Sequence, residues 1–214
     1  MRLTHLGHAC LLVETESTRV LIDPGSYSAG FQALGDLDAI LVTHMHADHI
    51  DPQRFPALVR SSPRARLLIE PEAAATHEIE PATGFTAGDS TRVGDLQIQA
   101  IGGIHAVNHD KVPPVGNIGF VLRDGGGRSL FHPGDSYAET PADIDVLGLP
   151  LNAPWCKMNE TLAFVEAVSP RVAVPIHNAL LSDRGQAAYL MHVESFGPDD
   201  TAVEVLGLGE SYDV

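Results

Sequence analysis

Basic side chains are scarce in this chain. Against 28 aspartates and glutamates there are only 13 lysines and arginines in 214 residues, a net charge of −15 with histidine neutral. That balance argues against a nucleic-acid partner, because phosphate backbones are gripped by a basic footprint. Cysteine is nearly missing: Cys10 and Cys156 are too few for a disulfide framework, so a reducing cytoplasm is the expected location. Nothing approaches the roughly 18 consecutive apolar residues that read as a membrane span, so none is expected. Met1-Arg2-Leu3-Thr4-His5 runs straight into a strand-like pattern without the apolar region of a signal peptide, and no leader is expected. A hydrophobic content of 44% is ordinary for a globular protein, and the length suits one domain over residues 1–214.

What the chain has in excess is histidine, 11 residues in all. The densest cluster lies in Leu41-Val42-Thr43-His44-Met45-His46-Ala47-Asp48-His49-Ile50-Asp51. The apolar run Ala39–Val42 reads as a buried strand, and it gives way to three imidazoles and a carboxylate within six residues. Nitrogen and oxygen donors at this density suit a borderline divalent ion such as zinc. Asp51-Pro52 has the form of an N-cap followed by proline at the first helical position, which puts the cluster on a strand-to-helix turn.

Thr43-His44-Met45-His46-Ala47-Asp48-His49 resembles the metal-binding signature of the metallo-β-lactamase-fold hydrolases. The resemblance implies an α/β fold of four αββα layers, with two mixed β-sheets inside, helices outside, and two metal ions at one edge. Leu6-Gly7-His8-Ala9 is similar to a turn in the branch that contains ascorbate-6-phosphate lactonase and N-acyl-phosphatidylethanolamine phospholipase D. By that similarity His8 lies near the site, as a substrate contact or ligand support. Asp23, in Ile22-Asp23-Pro24-Gly25, becomes an acceptor that fixes the tautomer of a ligand histidine.

Further strands are expected at Leu3–Leu6, Cys10–Glu14, Thr18–Ile22, Arg66–Ile69, Gln97–Ile101, Asn117–Arg123, Arg128–His132, Asp145–Leu149, Arg171–Ile176 and Ala202–Leu206. Helices are expected over Pro52–Arg60, Pro71–Ile79, Thr161–Val168 behind an Asn159 cap, and Arg184–Phe196; His77 reads as a surface residue of the second. Two hairpins end in similar turns, Asp23-Pro24-Gly25 and His132-Pro133-Gly134-Asp135, which suggests two related halves delivering ligands to one edge. His105 follows its strand as the family's strand-end histidine does. His109, four residues on, is the competing ligand or else faces the substrate beside the Pro113-Pro114 wall. Asp135 matches the carboxylate that bridges two ions, whose two oxygens and single charge reduce the repulsion between dications. His132 supports that turn, and strand-end His177 matches the last metal histidine. Trp155 lies in a loop that faces the substrate or simply packs, and Lys157 after it is placed to meet an anionic group.

The implied set is His44, His46 and His105 for one ion, Asp48, His49 and His177 for the other, and Asp135 for both. The expected cofactors are two divalent ions, zinc first, with manganese or iron as alternatives. The expected reaction is attack by a metal-bound hydroxide on an ester-type bond of a small molecule, either a lactone or carboxylic ester or a phosphodiester, with Asp48 as a proton relay. A non-catalytic metal-binding or regulatory protein and a di-iron redox protein are the competing readings. A homo-oligomer is compatible with the sequence.

Overall fold

Strands that are apolar at nearly every position need cover on both faces, and two sheets packed against each other with helices outside provide it. The computed structural model describes residues 1–80 and 83–214. Strands β1 (Arg2–His5), β2 (Leu11–Glu14), β3 (Arg19–Ile22), β4 (Ala39–Val42), β5 (Arg66–Ile69) and β6 (Thr83–Gly84) lie side by side in chain order. Helices α1 (Phe55–Ser61) and α2 (Pro71–Thr76) connect the later ones. The second sheet runs β7 (Ser90–Val93), β8 (Leu96–Gly102), β9 (Ile118–Arg123), β10 (Ser129–His132), β11 (Val146–Pro150), β12 (Val172–Ile176) and β13 (Ala202–Val203). Helix α3 (Met158–Val168) joins β11 to β12, α4 (Asp183–Phe196) joins β12 to β13, and β14 (Ser211–Asp213) returns to pair with β1.

The two halves repeat one topology. Strands β1, β2 and β3 pair antiparallel and β3 to β6 parallel; β8, β9 and β10 pair antiparallel and β10 to β13 parallel. The edges match too, β14 on β1 and β7 on β8. The similar Pro-Gly turns therefore sit at corresponding places in two related halves.

Alternation decides which side chain enters which layer. Leu11, Val13, Val20, Ile22 and Leu41 meet Phe120, Leu122, Val146, Val174 and Ile176 between the sheets. Their neighbours Leu12, Leu21, Ile40 and Val42 point outward to Phe55, Leu58 and Ala73 of α1 and α2. On the far side Leu147, Leu149 and Ala173 are covered by Phe164, Val165, Val168 and Val193 of α3 and α4. Four αββα layers result, as expected.

Several boundaries differ from the sequence reading. Regular helix begins at Phe55 and not at Pro52, because the intervening turn is pinned by Arg54, whose guanidinium donates to the carbonyls of Gly25, Ser26 and Ser28. Asp51 still caps this turn, accepting from the backbone N–H of Gln53 (2.8 Å) and Arg54 (2.9 Å). Helix α2 stops at Thr76, followed by Glu78 in the left-handed region. Helix α3 begins at Met158 behind an extended Lys157, whose N–H is taken by Glu160 at 2.7 Å, so Asn159 lies inside the helix and is not its cap. The expected strand Ala202–Leu206 is shortened to its first two residues, and β6, β7 and β14 escape notice because short edge strands carry polar residues.

Candidate metal centre

Five strand ends converge on one edge of the sandwich. Asp23 follows β3, Thr43 and the histidine cluster follow β4, His105 follows β8, Asp135 follows β10 and His177 follows β12. Backbone hydrogen bonds tie these ends together: Ile118 N–H donates to Thr43 O (3.0 Å), Ala106 N–H to Asp135 O (2.8 Å) and His177 N–H to His8 O (3.0 Å). Three non-glycine residues here, His8, Asp23 and His177, occupy the left-handed region, with φ of 52°, 48° and 55°. That conformation is uncommon outside glycine and clusters at functional sites.

The two Pro-Gly turns are packed too closely for any larger residue. A Cβ on Gly25 would lie 1.7 Å from the Asp48 carbonyl oxygen. One on Gly134, at φ +62°, would lie 2.3 Å from Asn117 Oδ1. Asn117 is a support the sequence reading missed: its Oδ1 accepts from Asp135 N–H (3.0 Å) and its amide donates to Pro133 O (3.0 Å). His132 holds the same turn, accepting from Gly134 N–H (3.2 Å) through Nδ1 and donating to Ala9 O (2.8 Å) through Nε2.

Hydrogen bonds on one ring nitrogen leave the other aimed inward. His105 Nδ1–H donates to Ala106 O (2.6 Å) and His177 Nδ1–H to Asn152 O (2.7 Å), since carbonyls only accept. His49 Nδ1–H donates to Asp23 Oδ2 at 2.7 Å. Asp23 also accepts from the backbone N–H (2.8 Å) and hydroxyl (2.7 Å) of Thr43. With its only proton committed to Asp23, the Thr43 hydroxyl accepts from His44 Nδ1–H at 3.0 Å. The Nε2 atoms of His44, His49, His105 and His177 therefore point into the site.

They meet Asp135. Its Oδ1 lies 3.1 Å from His49 Nε2 and 3.2 Å from His177 Nε2, and its Oδ2 lies 3.4 Å from His105 Nε2. Asp48 Oδ2 lies 3.5 Å from His177 Nε2, and His44 Nε2 sits 3.0 Å from His46 Nδ1. Two groups of donors form, His44, His46 and His105 on one side and Asp48, His49 and His177 on the other, with His8 against the second. Buried polar groups are almost always paired, yet among the described residues His49 Nε2, His105 Nε2, His177 Nε2 and Asp135 Oδ1 find no hydrogen-bond partner. Three orphaned imidazole nitrogens around one carboxylate, which has an orphaned oxygen of its own, fit bound cations.

The electrostatics agree. Burial alone would raise the Asp135 carboxyl, but the His49 and His177 imidazoles beside it hold it well below the usual carboxylate range. Conversely, burial works against charge on His177, yet Asp135 lifts it to about 9; His49, between Asp135 and Asp23, is also raised. Burial pushes His44 well down and His8 down to about 4. All three shifts arise because imidazoles and carboxylates are gathered in one buried place, the setting in which a cation would balance the carboxylate charge.

The remaining predicted residues divide. His8 is buried and close to the site, but both its nitrogens are engaged: Nδ1 accepts from Ala179 N–H (3.4 Å), so Nε2–H donates to Asp48 Oδ2 (3.1 Å). It orients Asp48. His109 is exposed, its Nδ1 accepting from Lys111 N–H (3.1 Å), and it lines an adjoining cleft; buried His105 is the residue that reaches Asp135. Lys157 is exposed at the start of α3 and is not among the residues lining the cavity over the site, so the structure does not bring it to an anionic substrate there. Trp155 does line that cavity and donates through Nε1–H to Asp135 Oδ2 at 2.8 Å. His77 is half-buried and not simply a surface residue, holding the Met45 carbonyl of the histidine loop at 2.9 Å.

A family model described as the beta-lactamase superfamily domain matches residues 2–177. The chain belongs to that superfamily. Protein Rv0786c of Mycobacterium tuberculosis is 42% identical over 190 residues, covering 88% of this chain and 89% of that protein. A UPF0173 metal-dependent hydrolase of Methanoregula boonei is 28% identical over 100% of this chain and 98% of its own length. Among solved structures, Igni18, a metallo hydrolase from Ignicoccus hospitalis, superposes with a TM-score of 0.74 at 22% identity, over 100% of this chain and 98% of that one. The Methanoregula protein's name describes a metal-dependent hydrolase, and this chain carries His and Asp clusters that could hold metal ions. No helix among the described residues is long and apolar enough to cross a membrane.

Proposed function

We propose that the protein hydrolyses an ester-type bond of a small molecule, a lactone or carboxylic ester or a phosphodiester, with two divalent ions, zinc first. The observation that carries this reading is the convergence of orphaned His49, His105 and His177 Nε2 and Asp135 Oδ1 in one buried cluster. His44, His46 and His105 would hold one ion, Asp48, His49 and His177 the other, and Asp135 would serve both. When bound, such ions lower the pKa of a water toward 7 and polarise the oxygen of the bond to be broken. The chain's own groups do the rest. Asp23 and the carbonyls of Ala106 and Asn152 fix the imidazole tautomers, His8 orients Asp48, and Trp155 anchors Asp135. Asp48, partly open to the cavity, would relay a proton during turnover.

The test is the metal content of protein purified without added metal, paired with hydrolysis of bis-p-nitrophenyl phosphate and of a simple lactone. About two zinc ions per chain with turnover of either substrate is expected. Absence of metal after reconstitution overturns the reading, and stoichiometric iron with electron-transfer activity replaces it with the redox one.

A further inference from the structure

The cavity over Asp135 has a volume of about 230 Å³ and a second cleft of about 220 Å³ adjoins it; His46, His105 and Asn108 line both. Large apolar side chains are exposed at this place. Tyr27 (51% exposed) and Leu180 (56%) stand at the mouth of the first, and Val107 (67%) and Val112 (49%) in the second. Leaving such groups in water carries a cost that a bound apolar group removes, so their grouping around a reaction centre is informative. Charge narrows the choice further. The described residues lining the two cavities include Asp48, Asp135 and Asp110 but no lysine or arginine. A substrate with fixed negative charge beyond the reacting bond would meet the Asp110 carboxylate in the second cleft, with exposed Lys111 beside it but outside the lining.

We infer that the substrate is an uncharged carboxylic ester or lactone whose apolar alkyl or aryl group lies in the cleft lined by Val107 and Val112, with Leu180 on the adjoining cavity over the reaction centre. This rests on the hydrolase reading above and narrows it, choosing a carboxylic acid derivative over a phosphodiester. The scissile group faces Asp135 and Asp48, and the apolar group runs past His105 toward Val112. The occupant is the substrate itself, because the cleft is continuous with the reaction centre through shared lining residues.

The test compares p-nitrophenyl acetate, butyrate and octanoate with bis-p-nitrophenyl phosphate on the metal-loaded protein. Burying two added methylenes is expected to raise kcat/KM by about tenfold from acetate to butyrate, with a further rise to octanoate. The phosphodiester should fall at least about tenfold below butyrate. Val107→Asp and Leu180→Asp should each lower the octanoate-to-acetate ratio. Independently of turnover, octanamide should quench the emission of Trp155, the chain's single tryptophan, saturably in the wild type and more weakly in both variants. Turnover with a flat chain-length series, or with the phosphodiester preferred, overturns the inference and leaves the hydrolase reading intact. Absence of turnover on every substrate overturns the hydrolase reading, and octanamide binding still decides whether the cleft takes apolar groups. Sedimentation with phosphatidylcholine vesicles without saturable octanamide binding overturns the inference in favour of a membrane-docking rim.

Discussion

The two halves of the molecule share a topology but furnish the site in opposite ways. The first delivers His44, His46, Asp48 and His49 on one turn after β4; the second delivers His105, Asp135 and His177 from the ends of β8, β10 and β12. Their supports differ as well. In the first half His49 leans on the Asp23 carboxylate, and Thr43 relays that carboxylate to His44. In the second half the supports of the imidazoles are backbone carbonyls, those of Ala106 and Asn152. One half builds its geometry locally with side chains, and the other builds it by assembling a sheet.

Asp135 joins these two modes, since it touches His49 from the first half and His105 and His177 from the second. Asp135→Ala should therefore have the largest effect. Fewer than two ions per chain are expected, with a rate loss of at least about 10²-fold, beyond what losing a mere supporting partner costs. Elemental analysis and hydrolysis rates check this. Two ions and full activity in the variant would mean that the halves do not share a carboxylate.

A smaller effect separates the two modes of support. Asp23→Asn keeps the shape but replaces an acceptor oxygen with an amide donor facing His49 Nδ1 or Thr43. Metal affinity is expected to fall about 10- to 100-fold, the usual cost of a disturbed supporting hydrogen bond. Chelator competition measures it. The second half offers no matching side-chain substitution, because its acceptors belong to the peptide chain. An unchanged affinity would show that carboxylate support in the first half is no stronger than the carbonyl support of the second.

The same contrast explains what could be read in advance. His44 to His49 announce themselves because their spacing alone brings them together, and the apolar run Ala39–Val42 marks the strand beneath them without error at either end. His105 and Asp135 have ordinary neighbours, and only the family resemblance singled them out before the sheet order put β8 and β10 on either side of β9. Asn117 stayed hidden for a different reason: an asparagine at a strand start has no signature, and its role exists only where β9 passes the Pro133-Gly134 turn. Lys157 shows the converse case: a lysine after a tryptophan looks placed for a substrate, but it stands exposed at the start of α3 and does not line the cavity over the site. The layered architecture was expected from the family resemblance, because β2, β3 and β4 are apolar at nearly every position and only the assembled sheets separate their inner from their outer faces, whereas the edge strands β6 and β14 are too short to stand out at all.

Trp155 gives the finest test of how the second half holds its carboxylate. Its indole N–H reaches Asp135 Oδ2 at 2.8 Å, and its ring packs edge-on against Tyr137 at 4.8 Å. Tyr137 in turn stacks on Phe164 of α3 at 4.4 Å and shares a hydrogen bond with Thr161. The donor is thus anchored to the outer helix layer, and it points at the same oxygen that faces His105. A carboxylate oxygen has lone pairs enough for both the indole and an ion, so the hydrogen bond orients Asp135 without displacing a ligand. Trp155→Phe retains most of the ring packing and removes only the donor. A hydrogen bond to a charged group contributes about 1.5–3 kcal/mol in burial, and less here because the indole borders an open cavity. Metal affinity should weaken by no more than about tenfold, measured by the same chelator competition, with thermal stability little changed. A tighter site in the variant would reverse the assignment, making the indole a competitor of the ion for Asp135 Oδ2.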